Sequence, residues 1–356
     1  MKILYNNGGD NIMSKYYDGT KLLSLSDING NKPEIYICTT NRTGGKTVYF
    51  SRLIVNKFLK NKEKFAILYR FNYELDDCAD KFFKDIKNLF FPEYNMKSRK
   101  RAKGIYHELF LDDEQCGYAI SLNSADQLKK YSHLFSDVKR IMFDEFQSET
   151  GNYCNNEVKK LLSIHTSIAR GNGEQVRYVP VYMISNPVSL INPYYIELGI
   201  ADKLREDTRF LRGDGFVMEQ GYVESAAQAQ KESGFNRAFS GNSYVQYSSE
   251  AIYLNDIKTF IEKPKGRNRY YCTLKYEGVN YAVREFVDEG IVYCDNSVDM
   301  DYPCRICVSS RDHDVNYIML RDNSLILGTL RYYFEKGCVR FKNLQCKEAF
   351  IKALSF

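Results

Sequence analysis

The stretch Glu34-Ile35-Tyr36-Ile37-Cys38-Thr39-Thr40-Asn41-Arg42-Thr43-Gly44-Gly45-Lys46-Thr47, followed by Val48-Tyr49-Phe50-Ser51-Arg52-Leu53-Ile54, decides how the rest of the chain is read. It opens as a short apolar run of strand type and passes through a polar turn with two glycines. It ends in a segment where Phe50, Leu53, Ile54 and Phe58 recur at spacings of three and four, one face of a helix. A strand, a glycine-bearing turn and a helix N-terminus make an anion site, because free backbone N–H groups and the helix dipole converge there. The phosphate-loop pattern is Gly, four residues, then Gly-Lys-Ser/Thr. Gly45-Lys46-Thr47 supplies its end, and Thr40 stands where the first Gly belongs. In this reading Arg42, Thr43, Gly44 and Gly45 surround the phosphates of ATP, Lys46 neutralises them, and the Thr47 hydroxyl joins the shell of Mg2+. A plain turn before a helix is the competing explanation.

Outward from that stretch, apolar runs alternate with helical patterns over the first 210 or so residues, which predicts an α/β domain around a parallel sheet. Phe65–Tyr69 is the next strand, Tyr73 to Phe90 a helix, and Gly104 to Leu122 a hairpin around Asp112-Asp113-Glu114. Arg140-Ile141-Met142-Phe143 is a strand stopped by Asp144-Glu145, 98 residues beyond Lys46. Asp144 at a strand end would hold Mg2+, and Glu145 beside it would polarise the attacking water. An acidic pair after a strand is also a common solvated turn, so the pair gains weight from the loop upstream and from room for an intervening strand. Together these features point to the ASCE, or RecA-like, branch of the P-loop ATPases. A helix near Asn155 to Ala169 and a strand at Val176 to Ile184 follow. Arg170, beside Gly171 and Gly173, fits a cation delivered to a nucleotide and fits equally an ordinary helix-ending Arg. Asn186, just past the strand end, would sense the terminal phosphate or simply begin a turn.

The chain has 356 residues, 44% hydrophobic and 27% charged, a globular composition that disfavours collagenous, disordered and coiled-coil classes. No run approaches the length of a membrane span, and Met1 to Asp10 lacks a signal pattern, so a cytoplasmic-type chain with no membrane partner is expected. Its ten cysteines are then reduced thiols. From Arg212 to Asn242 apolar periodicity fades. We therefore expect an ATPase domain over 1–211, a linker or lid over 212–245, and a small α/β domain over 246–356 built from antiparallel strands and two helices. Two basic runs, Lys97, Arg99, Lys100, Arg101 and Lys103, and Lys263, Lys265, Arg267 and Arg269, read as flexible clusters able to grip nucleic-acid phosphates without reading sequence. Solvated loops are the bland alternative.

The run Phe143-Asp144-Glu145-Phe146, the downstream Asn155-Asn156-Glu157-Val158, and above all Ser185-Asn186-Pro187-Val188-Ser189-Leu190-Ile191-Asn192-Pro193-Tyr194-Tyr195 resemble the DNA-packaging ATPases of phi-twenty-nine-like small podoviruses. The resemblance implies a homomeric ring, a pentamer by family likeness, that threads double-stranded DNA into a procapsid at its portal vertex in the host cytoplasm. In part of the family a structural packaging RNA joins the motor. It implies a C-terminal domain with a vestigial RNase H-like nuclease fold. It carries the phosphate-loop roles to Arg42, Lys46 and Thr47, the second-motif roles to Asp144 and Glu145, and a trans-acting arginine finger to Arg170. Lys130, or Lys129, falls near a second trans-acting lysine, and Arg70 matches without an assigned role. Related nucleases need an Asp on the first strand of that domain, and Tyr270–Tyr276 has no acid, so no nuclease activity is expected. The rivals are a RecA-type helicase on single-stranded DNA and a nucleotide-binding scaffold that does not hydrolyse.

Overall fold

The computed structural model describes residues 16–171, 173–189, 192–200, 203–204, 208–240, 245 and 261–354. They form two compact units. The first holds the described residues up to Gln147, Tyr153–Pro187 and those from 208 to 240; the second holds Ser148–Asn152, those of 188–204 and those of 261–354.

The first unit is built on a nine-stranded sheet: β1 (Ile35–Thr39), β2 (Lys64–Tyr69), β3 (Met96–Arg101), β4 (Tyr106–Leu111), β5 (Glu114–Ser121), β6 (Val138–Asp144), β7 (Val181–Ser185), β8 (Phe210–Gly213) and β9 (Phe216–Gln220). Its order is β3-β4-β5-β2-β6-β7-β1-β9-β8. The run from β5 to β9 is parallel, and an antiparallel strand pair closes each side. β7 is inserted between β1 and β6. Helices α1 (Lys46–Asn61), α2 (Cys78–Phe90) and α3 (Glu157–Ala169) are the crossovers. Because helices cover the sheet, the inner strands are near-continuous apolar runs with buried residues on both faces. The aromatic payload fixes the packing. Phe50 of α1 sits 5.4 Å from Tyr182 of β7, and Phe82 of α2 sits 5.7 Å from Phe65 of β2, each ring centroid to centroid.

Two segments depart from the sequence reading. The segment expected as linker or lid from residue 212 begins as sheet: β9 pairs in parallel with β1, and β8 turns back on β9 through Gly215 at φ 74°. Only then does helix α4 (Glu224–Glu232) follow. The boundary expected at 245/246 lies outside the described residues, apart from residue 245 itself. The first basic run is likewise no flexible loop, since Lys97, Arg99, Lys100 and Arg101 belong to the edge strand β3, where the first three are exposed. Cations on an outermost strand keep it soluble and discourage pairing with another chain.

The second unit carries a six-stranded sheet of β10 (Arg269–Tyr276), β11 (Val279–Phe286), β12 (Ile291–Asp295), β13 (Arg305–Cys307), β14 (Ile318–Met319) and β15 (Val339–Phe341), in the order β14-β13-β10-β11-β12-β15. The first three form an antiparallel meander. Glu277 (φ 50°) and Gly278 (φ 76°) make the tight turn between β10 and β11, both in the left-handed region that two-residue hairpins demand. β13 runs parallel to β10, and helices α5 (Ser324–Glu335) and α6 (Leu344–Leu354) complete the unit.

Candidate active site

The turn after β1 does what its composition requires. Gly45 has φ 87°, reachable without strain only by glycine, and α1 starts at the next residue, so the first N–H groups of the helix stay free for an anion. A Cβ on Gly45 would come within 2.8 Å of Tyr16 Cβ. Thr40, in place of the first loop glycine, is not among the positive-φ residues. Its buried hydroxyl donates to Asn41 O at 3.0 Å, so this position never needed glycine's freedom. Beside the loop lies a cavity of about 490 Å3 lined by Tyr16, Gly45, Lys46, Thr47 and, from α2, Asp85 and Asn88.

Lys46 points inward. Its Nζ donates to Asn186 Oδ1 at 2.7 Å, just past the end of β7, which joins two of the expected residues. Burial pushes the Lys46 amine below the usual lysine range, opposed chiefly by the carboxylate of Asp144. Burial drives the Asp144 carboxyl up to about 6 against the pull of Lys46, and Thr47 hydrogen-bonds it. Thr47 and Asp144 thus present oxygen ligands side by side, the hard donor set of Mg2+. The buried amine, the free helix N-terminus and this oxygen pair fit a metal-bound nucleoside triphosphate. Arg42, half-buried in the same loop, is close enough that its charge acts on Lys46, while Thr43 is exposed at the loop tip.

Glu145 is exposed at φ 55°, a left-handed conformation that costs a non-glycine residue roughly 1 kcal/mol or more. Its own N–H donates to Asp144 Oδ1 at 2.9 Å, and Arg70 holds the other side. Arg70 Nη2 donates to Glu145 O at 3.1 Å and to Phe146 O at 2.9 Å, while its Nε bonds both carboxylate oxygens of Glu157 at 2.9 and 3.1 Å. Arg70 and Glu157 are both buried, and Glu157 also accepts the Cys154 N–H at 2.7 Å. This clamp gives Arg70 the role its sequence position did not disclose. Its partner lies 87 residues away, beyond the reach of any local pattern.

Arg170 does not join the cluster. Its guanidinium is exposed and donates to Ser132 Oγ at 2.6 Å, in the short helix Lys129–Phe135 that also carries Lys130. That helix precedes Val138, the first residue of β6, whereas Asp144 is the last. Seven residues of strand separate the two ends by about 20 Å. Arg170 and exposed Lys130 therefore share the sheet edge opposite the phosphate loop.

Sequence reading missed the contact that covers the loop. The buried Asn41 side chain donates to Val223 O at 3.1 Å and accepts Val223 N–H at 2.9 Å, and Gln230 Nε2 donates to Thr43 Oγ1 at 3.3 Å, so α4 is tied to the phosphate loop at both ends. Of the basic runs, Arg101 pairs with Glu108 at 2.8 Å, while Lys97, Lys100, Lys103 and Arg99, whose guanidinium lies over the Phe110 ring, are exposed. In the second unit Lys263 pairs with the buried Asp295 at 3.3 Å and Arg267 reaches Asp288 at 4.0 Å, while Lys265 and Arg269 are exposed. The second half of the Asn-Pro-Tyr stretch belongs to that unit, where Asn192 Oδ1 caps the helix Pro193–Glu197 by accepting Tyr195 N–H at 3.1 Å. Leu190 and Ile191 lie outside the described residues.

Comparison with known proteins bears on the family and the fold. The DNA packaging protein of Bacillus phage phi29 is 26% identical over 334 residues, 93% of this chain and 94% of the relative. That of Bacillus phage B103 is 25% identical over 307 residues, 85% of this chain and 88% of the relative. Among solved structures, a chain of the bacteriophage phi29 viral genome packaging motor assembly superposes with a TM-score of 0.52 at 24% identity, covering 95% of this chain and 99% of that one. The Phi-28 gp11 DNA packaging motor gives 0.55 at 16% identity, covering 96% and 98%. These two establish a shared fold. The profile of the podovirus DNA encapsidation protein (Gp16) family matches residues 12–354, and the chain belongs to that family.

Proposed function

We propose that the protein is an ATP-hydrolysing, Mg2+-dependent translocase that drives double-stranded viral DNA into a procapsid, working as a homomeric ring whose nucleotide sites lie between subunits. The backbone of Gly44 to Thr47 and the Lys46 ammonium bind the phosphates, with Arg42 and Thr43 around them and Asn186 poised at the terminal one. Thr47 and Asp144 would hold Mg2+, which when bound neutralises charge on the phosphates. Glu145 orients the attacking water and takes its proton on the carboxylate, in the pose that Arg70 supports. Arg170 serves the neighbour's nucleotide. The observation that carries this reading is that Arg170 bonds Ser132, in the helix that leads into the start of β6, while Asp144 ends that strand about 20 Å further on, a span too long for one side chain. Exposed Lys130 on the same edge is a second cation for that neighbour.

The domain reading is an ATPase domain joined to a C-terminal vestigial nuclease. The meander β10-β11-β12 with β13 and β14 added in parallel beside β10 is the strand order of an RNase H-like core, which supports it. β10 bears no carboxylate, which supports a domain without nuclease activity. Lys97, Arg99, Lys100, Lys103, Lys265 and Arg269 are the cations available to DNA or a packaging RNA, and the protein works in the host cytoplasm and at the procapsid portal. The test is steady-state phosphate release with double-stranded DNA for an equimolar mixture of Arg170→Ala and Glu145→Ala. Each variant alone is expected to be inactive, and the mixture to regain turnover. A silent mixture refutes shared sites; stimulation by single-stranded DNA alone favours a helicase; wild-type binding without turnover favours a scaffold.

A further inference from the structure

We infer that Arg177 is a positioning residue for the Arg170 finger, setting where that side chain projects from the subunit edge. The inference rests on the proposed role of Arg170. Arg177 is 5% exposed, an unusual state for an arginine, and among the described residues its guanidinium bonds main-chain carbonyls in place of a carboxylate. Nη1 donates to Val138 O at 3.0 Å, and Nη2 donates to Ile168 O. Its backbone N–H adds a third bond, to Ala169 O at 2.7 Å. A buried cation is tolerated there because the last carbonyls of α3 point at it, carrying the negative end of the helix dipole.

These bonds converge on the base of one loop. Ile168 and Ala169 are the last residues of α3, Arg170 follows, and Arg177 is where the chain returns. Between them Gly171 and Glu174 exchange a reciprocal pair of backbone bonds at 3.2 Å, and Gly171 (φ 110°) and Gly173 (φ 83°) make the reversal possible. The Gly171–Glu174 pair and the Arg177–Ala169 bond therefore close the base of this segment, with Arg170 beside the closure. Arg177 fastens that base and, through Val138 O, ties it to the first residue of β6, whose other end carries Asp144 and Glu145. Among the described residues its hydrogen bonds run to Val138, Ile168 and Ala169, none of them a residue of the proposed nucleotide site. A finger that must meet a neighbour's phosphate tolerates little displacement, since an error of about 1 Å can cost on the order of 10²-fold in rate.

The test uses the full-length protein with double-stranded DNA and equimolar mixtures. Arg177→Met is expected to bind ATP as the wild type does and to lose about 10²-fold in kcat. Mixed with Glu145→Ala, which contributes an intact finger, it should regain turnover; mixed with Arg170→Ala, where neither subunit places a finger, it should not. A residue that merely stabilises the fold would not produce that pairing pattern. Arg177→Met with wild-type turnover, or regain in the Arg170→Ala mixture, overturns the inference. So does failure with Glu145→Ala while the control pair Arg170→Ala and Glu145→Ala succeeds. If the control pair is itself silent, the shared-site reading falls and takes this inference with it. Should Arg177→Met fail to bind nucleotide, Arg177→Lys decides by the same mixtures, because lysine keeps the charge at the helix end and cannot fork between two carbonyls.

Discussion

Replacing Glu157 with leucine would strip a buried guanidinium of the carboxylate that compensates it. Arg70 is 7% exposed and Glu157 3%, and the pair is joined by two bonds of 2.9 and 3.1 Å. Breaking such a pair from one side costs about 3–5 kcal/mol, because the remaining charge stays buried after losing its carboxylate. For a unit of this size each kcal/mol moves the melting point by about 2–4 °C, so the transition of the N-terminal unit should fall by roughly 6–20 °C. The paired replacement Arg70→Met with Glu157→Leu removes both charges and should recover most of that loss, as apolar substitutes for buried ion pairs do. Hydrolysis should separate from stability in the same series. The double variant still lacks the donor to Glu145 O and Phe146 O, so the left-handed pose of Glu145 relaxes and phosphate release falls by about 10²-fold at unchanged nucleotide affinity. Calorimetry and steady-state phosphate release on the three proteins suffice. If Glu157→Leu costs less than about 1 kcal/mol, the pair behaves as an exposed one and the burial argument is wrong. A stable double variant with wild-type turnover would show that Arg70 does not position Glu145.

Three further outcomes follow from the same geometry. Thr40→Gly should leave ATP affinity unchanged and lower stability by about 0.5–1 kcal/mol through added freedom in the unfolded chain; calorimetric titration showing tenfold tighter binding would mean that Thr40 distorts the loop. Asn41→Ala removes both bonds to Val223 and should cost about 1–3 kcal/mol, with faster amide exchange across 223–232; unaltered exchange there would sever α4 from the phosphate loop. Burial raises the Asp144 carboxyl from 3.8 to about 6, so between those values the folded protein keeps a proton that the unfolded chain has released. Without metal, stability should therefore fall as pH rises through that window, and Asp144→Asn should flatten the slope. Mg2+-dependent turnover, which needs the carboxylate, should decline as pH drops below about 6.

Some of the site is written along the chain and some is not. The phosphate loop and the acidic pair were legible because each is a local event: an apolar strand runs out, a residue with special backbone freedom turns the chain, and polar groups collect at the sheet edge. The hairpin at β4 and β5, the strand β6 and helix α3 were readable from periodicity for the same reason. The strands β8 and β9 were not, since they are four and five residues long and one carries the buried Glu219, whose hydrogen-bond partner Tyr17 lies 202 residues away. The exposed strand β3 also escaped notice, because an edge position lets a strand be almost wholly basic and so erases the alternation that marks strands elsewhere. By itself, then, the sequence determined the α/β class and singled out the local motifs, the glycine turn and the acidic pair, on which the proposed nucleotide site is built. Only the tertiary structure decided that Arg70 clamps Glu145, that Asn41 ties α4 to the loop, and that Arg170 stands at the far edge of its own sheet. Those outcomes depend on which distant elements a buried polar group finds as partners, and a hydrogen bond across 87 or 182 residues leaves no periodic trace in the chain.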